Sequence, residues 1–312
     1  MVRAGAILLA LAVPACWAQA VISAHSGLVN YVEGDVQLAG KQVKLDGAIF
    51  PDVKIGQTLS TQMGHAEVLL TPGVFLRLDN HTSLRMISTD LTDTRVEIVN
   101  GSALVEADEI LKSNRISVKM GDSETLLLKT GLYHFNADAG QVRTFDGKAQ
   151  VSAADNSAEL KGGRTLLVGS SLTPDKFNKN KSKDELYAWS EQRDYRLALA
   201  NISAARSTKA KGFSNSLWAL DPWLGMYTFL PRSGYMYSPF GISWYSPSTV
   251  WVVFQPAPTY GYSAASTSWQ GVAPSSSGSV APSSNASTGA VGASSGSSAS
   301  AVAASSGGSR GR

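Results

Sequence analysis

From residue 21 to about 170, apolar side chains recur at every second position in short runs, and no 3.6-residue period runs between them. Ala66-Glu67-Val68-Leu69-Leu70 and Val74-Phe75-Leu76-Arg77-Leu78 flank Thr71-Pro72-Gly73. Proline fixes φ and glycine accepts positive φ, so Pro72-Gly73 suits the two central positions of a type II turn. Asn100-Gly101 and Asp146-Gly147 are dipeptides that two-residue primed hairpin turns favour. Closely spaced turns between alternating runs predict an all-β sandwich or roll of short antiparallel hairpins. The carboxylates in these runs, among them Glu67, Asp79, Glu97, Glu106 and Asp108, fall at positions expected to face water.

The pattern changes after Pro174. Phe177 to Lys183 (FNKNKSK) reads as a polar linker within 174–183. Ser182 and Glu185 have the spacing of a capping box, in which the serine bonds forward and the glutamate backward at a helix start. Leu186, Trp189, Arg193, Leu197 and Ala200 follow at helical spacing and predict one helix over 184–206, docked by that stripe on the β-domain. Residues 207–262 concentrate aromatics and prolines, which exclude a long helix and predict short hairpins or an extended wrap packed on the β-domain. Residues 263–312 are Ser, Gly and Ala with little to bury, and read as a disordered tail.

Three stretches share one spacing. Val29–Leu38 (VNYVEGDVQL), Val96–Val105 (VEIVNGSALV) and Val142–Val151 (VRTFDGKAQV) each place a glycine five residues after the first valine. Apolar residues then stand two and four further on, which predicts three copies of one hairpin unit. The first copy, with Gly56-Gln57-Thr58-Leu59-Ser60-Thr61, Gly64 to Leu70, Pro72-Gly73 and Leu76-Arg77-Leu78, resembles the FecR domain. Gly101, Gly131 to Phe135, Phe145-Asp146-Gly147 and Gly162-Gly163 keep that family's order, over about residues 27–170. The resemblance implies an all-β, extracytoplasmic module. Signalling members of the family place a cytoplasmic domain and a membrane helix before it. Here only Met1-Val2-Arg3 precede the apolar segment, so a direct anti-sigma role is not carried over.

Charge and composition add a location. Arg3, the apolar run Ala4 to Ala15 and Ala18-Gln19-Ala20 make a secretory signal over 1–20, with cleavage expected after Ala20. The β-domain then runs from 21 to 173. The chain's single cysteine, Cys16, lies inside the signal, so the mature chain would have no disulfide; lipid anchoring through Cys16 is the competing reading. Charged residues are only 16% of the chain and the net charge is +3, too small to gather nucleic acid. No integral membrane span is expected after processing.

Candidate chemistry is sparse. His25, His65, His81 and His134 show no ligand spacing, and no cysteine joins them, so neither a metal site nor a cofactor is expected. No nucleophile elbow or phosphate-binding loop is present in the sequence. Trp218, Trp223, Trp244 and Trp251 are the candidate contact residues, because exposed indole rings suit protein interfaces and stack on sugars. Burial against the β-domain is the alternative role for those rings. Without interleaved Lys or Arg they do not suit nucleic acid. The expected function is therefore a non-enzymatic, periplasmic or secreted protein-interaction or envelope scaffold module, with an envelope protein or polysaccharide as partner. A carbohydrate-binding envelope protein and a sensor in a trans-envelope signalling system are the alternatives.

Overall fold

The computed structural model describes residues 26–45, 49–169, 172–208 and 215–254. The expected leader with Cys16 and the Ser/Gly/Ala-rich stretch 263–312 lie outside these residues. The first strands are β1 (Leu28–Leu38), β2 (Lys41–Gln42), β3 (Thr58–Leu69), β4 (Val74–Leu78), β5 (Ser83–Asp90), β6 (Asp93–Asn100) and β7 (Ser102–Ala107). Then come β8 (Arg115–Met120), β9 (Ser123–Leu127), β10 (Gly131–Asn136), β11 (Gln141–Asp146), β12 (Lys148–Ala153), β13 (Asn156–Lys161), β14 (Arg164–Leu167) and β15 (Asp175–Lys176). Helix α1 (Glu185–Ser207) follows, with two hairpins, β16 (Leu217–Asp221) with β17 (Met226–Leu230) and β18 (Tyr235–Tyr237) with β19 (Ser243–Tyr245). A second helix, α2 (Pro247–Val253), ends the described chain. No helix among the described residues is long and apolar enough to cross a membrane.

All of β1 to β15 belong to one hydrogen-bonded sheet that the β1–β3 ribbon folds into two layers. The first part of β3, Thr58–Ser60, pairs with β5, and its last part, Ala66–Leu69, pairs with β4. β1 runs antiparallel to β3 across the bend, where Gly34 stands opposite Gly64. A Cβ on either glycine would lie about 2 Å from a backbone carbonyl oxygen of the other strand, so only glycine permits this crossing. One layer continues β5-β6-β8-β9-β12-β13, the other β4-β7-β10-β11-β14-β15. Val36, Leu59, Leu84, Val96, Val118 and Val151 from the first meet Val68, Leu76, Val105, Tyr133 and Phe135 from the second in one buried core.

The turns divide into two kinds. Pro72-Gly73 is the expected turn: Val74 N donates to Thr71 O over 2.8 Å, and Gly73 has φ +82°. Asn100-Gly101 and Asp146-Gly147 are not hairpin turns. β6 pairs with β5 and β8 while β7 pairs with β4 and β10, and β11 and β12 likewise sit in different layers. Each glycine is a corner at which the chain leaves one layer for the other, so β8 returns parallel to β6. The repeated unit is thus a strand, a glycine corner and a strand. Its apolar positions after the corner, Val36, Ala103, Val105, Ala149 and Val151, all enter the shared core.

Helix α1 starts two residues later than the capping box implies. Ser182 closes a short 3-10 turn, Asn180–Ser182, and Asp184 is the N-cap, its carboxylate accepting from Tyr187 N at 2.9 Å. A carboxylate at that position also complements the positive end of the helix dipole. α2 is an additional element beyond the single helix expected, started by Ser246 as N-cap and Pro247 at the first turn.

The corners should be intolerant of any side chain. At Gly147, with φ +94°, a Cβ would sit 2.3 Å from Tyr133 Oη and 2.6 Å from Thr130 O. Gly147→Ala is expected to cost about 2 kcal/mol or more. Gly56→Ala, also at positive φ but with nothing within 4 Å, should cost about 1 kcal/mol. Urea unfolding of the two variants checks the difference.

Candidate functional site

Side chains alternate across β3, β4 and β7, so Val68, Leu76 and Val105 point into the core while Glu67, Arg77 and Glu106 point outward. Register places Glu67 opposite Arg77 and Glu106 opposite Phe75. These outward groups do not meet water. Glu67, Arg77 and Glu106 are wholly buried and Asp108, just past β7, is 6% exposed, because α1 lies across this face. The expectation of a solvated strand face is therefore corrected at Glu67, Glu106 and Asp108. Glu97, on the other layer, is also largely buried and bonds Arg85. Asp79 is half-buried beside His65.

The helix brings its own charges to this face. Arg193 donates to Glu67 Oε1 over 2.8 Å and stands 3.9 Å from the centre of the Tyr31 ring. Arg77 donates through Nε to Glu67 Oε2 at 2.9 Å and through Nη1 to Glu106 Oε2. Asn30 donates to Glu67 Oε1 and also holds both backbone polar groups of Tyr227, which ties the hairpin β16–β17 to β1. Asp194 accepts from Ser238 Oγ. At the helix start, His134 Nε2 stands 3.2 Å from Asp184 Oδ2. One turn later Trp189 stacks on His65 with centroids 4.7 Å apart, and its Nε1 donates to Glu33.

Four carboxyls, Glu67, Glu106, Asp108 and Asp194, thus share a closed compartment with two guanidiniums. Burial alone would raise the Glu67 carboxyl, but Arg193 and Arg77 together bring it down to about 2. Burial raises Asp108 and Asp194 well above the ordinary carboxyl range, and the neighbouring Glu106 charge pushes both further up. Glu106 is also raised by burial, against the pull of Arg77.

A second feature is the aromatic layer beside α1, on the same sheet face. Trp244 is wholly buried and Trp218 is 4% exposed. Both pack on Phe75, with ring centroids 5.8 Å and 5.0 Å away, and on Phe229. A ring enclosed in this way presents no face to a ligand. Trp223, at the tip of the β16–β17 hairpin, is 89% exposed and Trp251 on α2 is 51% exposed. The four candidate tryptophans therefore divide: two join the layers and two face outward. Asn201 completes the attachment, donating to Phe229 O and Tyr245 O and accepting from Tyr245 N.

No family model matches the chain. No curated protein matches it either. Among solved structures, two crystal structures of a Parabacteroides distasonis ATCC 8503 protein, provisionally assigned as an anti-sigma factor, are similar to it at 16% and 17% identity. Each match covers 43% of this chain and 64% of the other, with a TM-score of 0.37. The chain thus spans somewhat under two thirds of the length of those structures.

Sequence reasoning missed the ionic compartment because Glu67, Arg77, Glu106 and Asp108 look like the polar half of alternating strands. The one available signal was Arg193 within the otherwise apolar helix stripe. A polar residue in that register needs a buried partner.

Two outcomes follow from the burial. Arg193→Met leaves the Glu67 carboxylate with one counter-ion and is expected to cost about 3 kcal/mol in urea unfolding. Glu67→Gln combined with Arg193→Met should recover part of that loss. In chelator-treated buffer, pH acts through Asp108 and Asp194. Their protons are retained in the folded chain after the unfolded chain has released them. The stability they contribute is full below the ordinary carboxyl value of 3.8 and declines as pH rises toward their raised folded values. Unfolding measured at pH 5, 6.5 and 8 should show a fall that Asp108→Asn flattens.

Proposed function

We propose that this chain is an exported, non-enzymatic binding or scaffold protein of the cell envelope that meets a protein partner through the outer face of the C-terminal layer formed by α1, the hairpins beside it and α2. The observation that carries this reading is the group of exposed apolar side chains on that layer. Leu199, Trp223, Leu224, Trp251, Val252 and Val253 are all exposed. An open cleft of about 440 Å³ runs beside Trp223, lined by Leu199, Ile202, Ser203, Arg206 and Ser207. Tryptophan and its aliphatic neighbours supply the desolvated contact on which protein interfaces depend. The stretch from 233 to 309 holds no Asp, Glu, Lys, Arg or His, so a partner would desolvate few charges there.

Support for a non-enzymatic role comes from the closure of the ionic compartment. Its carboxyls would reach a substrate only if α1 lifted away. Support for export comes from the basic start, apolar run and Ala18-Gln19-Ala20, and from the lack of cysteine beyond Cys16. A second reading, glycan contact, is favoured by the open Trp223 ring alone.

Capture from envelope extract by the full chain tests the reading. Trp223→Ala and Trp251→Ala are expected to reduce recovery of a protein partner at least about tenfold, with melting temperatures unchanged. Undiminished recovery by both variants would sink the proposal. Retention on purified peptidoglycan, lost in Trp223→Ala, would move the assignment to glycan binding.

A further inference from the structure

We propose that Glu106, Asp108 and Asp194 hold a hard divalent cation, of the calcium, manganese or magnesium class, that fastens α1 to the sheet. One oxygen from each of the three lies within 4.8 Å of the others. Metal–oxygen distances for calcium are about 2.3–2.6 Å, so opposite ligands of one ion stand about 4.6–5.2 Å apart. That spacing suits an ion of calcium's size, and the smaller magnesium ion would require the three oxygens to draw closer together. Glu106 and Asp108 project to the same side from the end of β7, and Asp194 comes from α1. The ion would bridge a strand and a helix.

Independently of that proximity, the protein leaves oxygens without partners. Arg77 engages Glu106 Oε2, and Oε1 has none. Ser238 engages Asp194 Oδ2, and Oδ1 has none. Asp108, 6% exposed, receives no hydrogen bond from an N–H or hydroxyl donor on either oxygen, and it and Asp194 both face the Glu106 carboxyl. A buried carboxylate in that condition is strongly unfavourable unless a cation or a proton meets it. The charge count gives the valence. Against Arg77 and Arg193, the four carboxyls of the compartment leave an excess of two negative charges once Asp108 and Asp194 give up their protons to the ion, and one divalent ion neutralises that excess. The donor set is all oxygen, with no imidazole or thiolate, which selects hard cations over zinc or copper.

The test uses the full chain, stripped with chelator and held at constant pH and ionic strength. Saturating CaCl2, MnCl2 or MgCl2 is expected to raise the melting temperature by about 5 °C with at least one ion. Asp108→Asn and Asp194→Asn should abolish that rise while retaining the wild-type far-UV spectrum in chelator. Mn2+ titration of the unmutated chain, followed by loss of the free-ion EPR signal, should saturate at one ion per chain. No melting shift with any of the three ions, an unchanged shift in both variants, or an EPR signal identical to buffer would overturn the proposal. The result is independent of partner capture through Trp223, since the two sites share no residue.

Discussion

The structure depends on the burial of a charged sheet face beneath a helix. Glu67, Arg77 and Glu106 stand where a two-layer sandwich would ordinarily meet solvent, and α1 closes over them with Arg193 and Asp194. Two ionised groups removed from water are stable only when each finds its counter-charge and its hydrogen bonds. Glu67 has both, from Arg77, Arg193 and Asn30. That fully partnered carboxylate fixes which helix turn lies on which strand. It does so more specifically than an apolar stripe, which tolerates sliding.

The rest of the C-terminal layer is assembled around this contact. With α1 in place, Phe75 on β4 is covered by Trp218, Trp244 and Phe229. Thr228 Oγ1 donates to Leu197 O, and Asn201 holds the backbone of β17 and β19. The central strands β4, β7 and β10 are thereby buried on both sides almost throughout, and every residue of β4 is buried in consequence. The first layer keeps an open outer face, where the partly exposed Glu124 and Lys148 and the exposed Glu159 carry surface ion pairs. The molecule is asymmetric for that reason, with one polar face and one face thickened by a helix and two hairpins.

Two separate capacities result from that asymmetry. The interior of the thickened side contains a closed polar compartment of four carboxyls and two guanidiniums. Its exterior leaves Trp223, Trp251 and their aliphatic neighbours exposed. α1 contributes to both, through Asp194 inward and Leu199 outward.

Much of the β-fold was legible in residue order, because alternation and glycine spacing act locally. The Pro72-Gly73 turn and the apolar positions after Gly34, Gly101 and Gly147 needed only φ preference and side-chain period. What those corners connect was not local: Asn100-Gly101 and Asp146-Gly147 satisfy hairpin chemistry yet lead between layers, since strand partners are chosen by the whole core. The helix was legible from its period, but its true cap, Asp184, is favoured over Ser182 by a 3-10 turn and by His134 across the sheet. The ionic compartment was hidden altogether. Glu106 and Asp108 alternate with apolar neighbours as a wet strand would, and nothing in residue order links them to Asp194, 88 and 86 residues further on. Local sequence determined where the chain bends and which side of each strand is apolar. Only the tertiary structure decided what covers the other side, because burial belongs to the packed layers and not to any single strand.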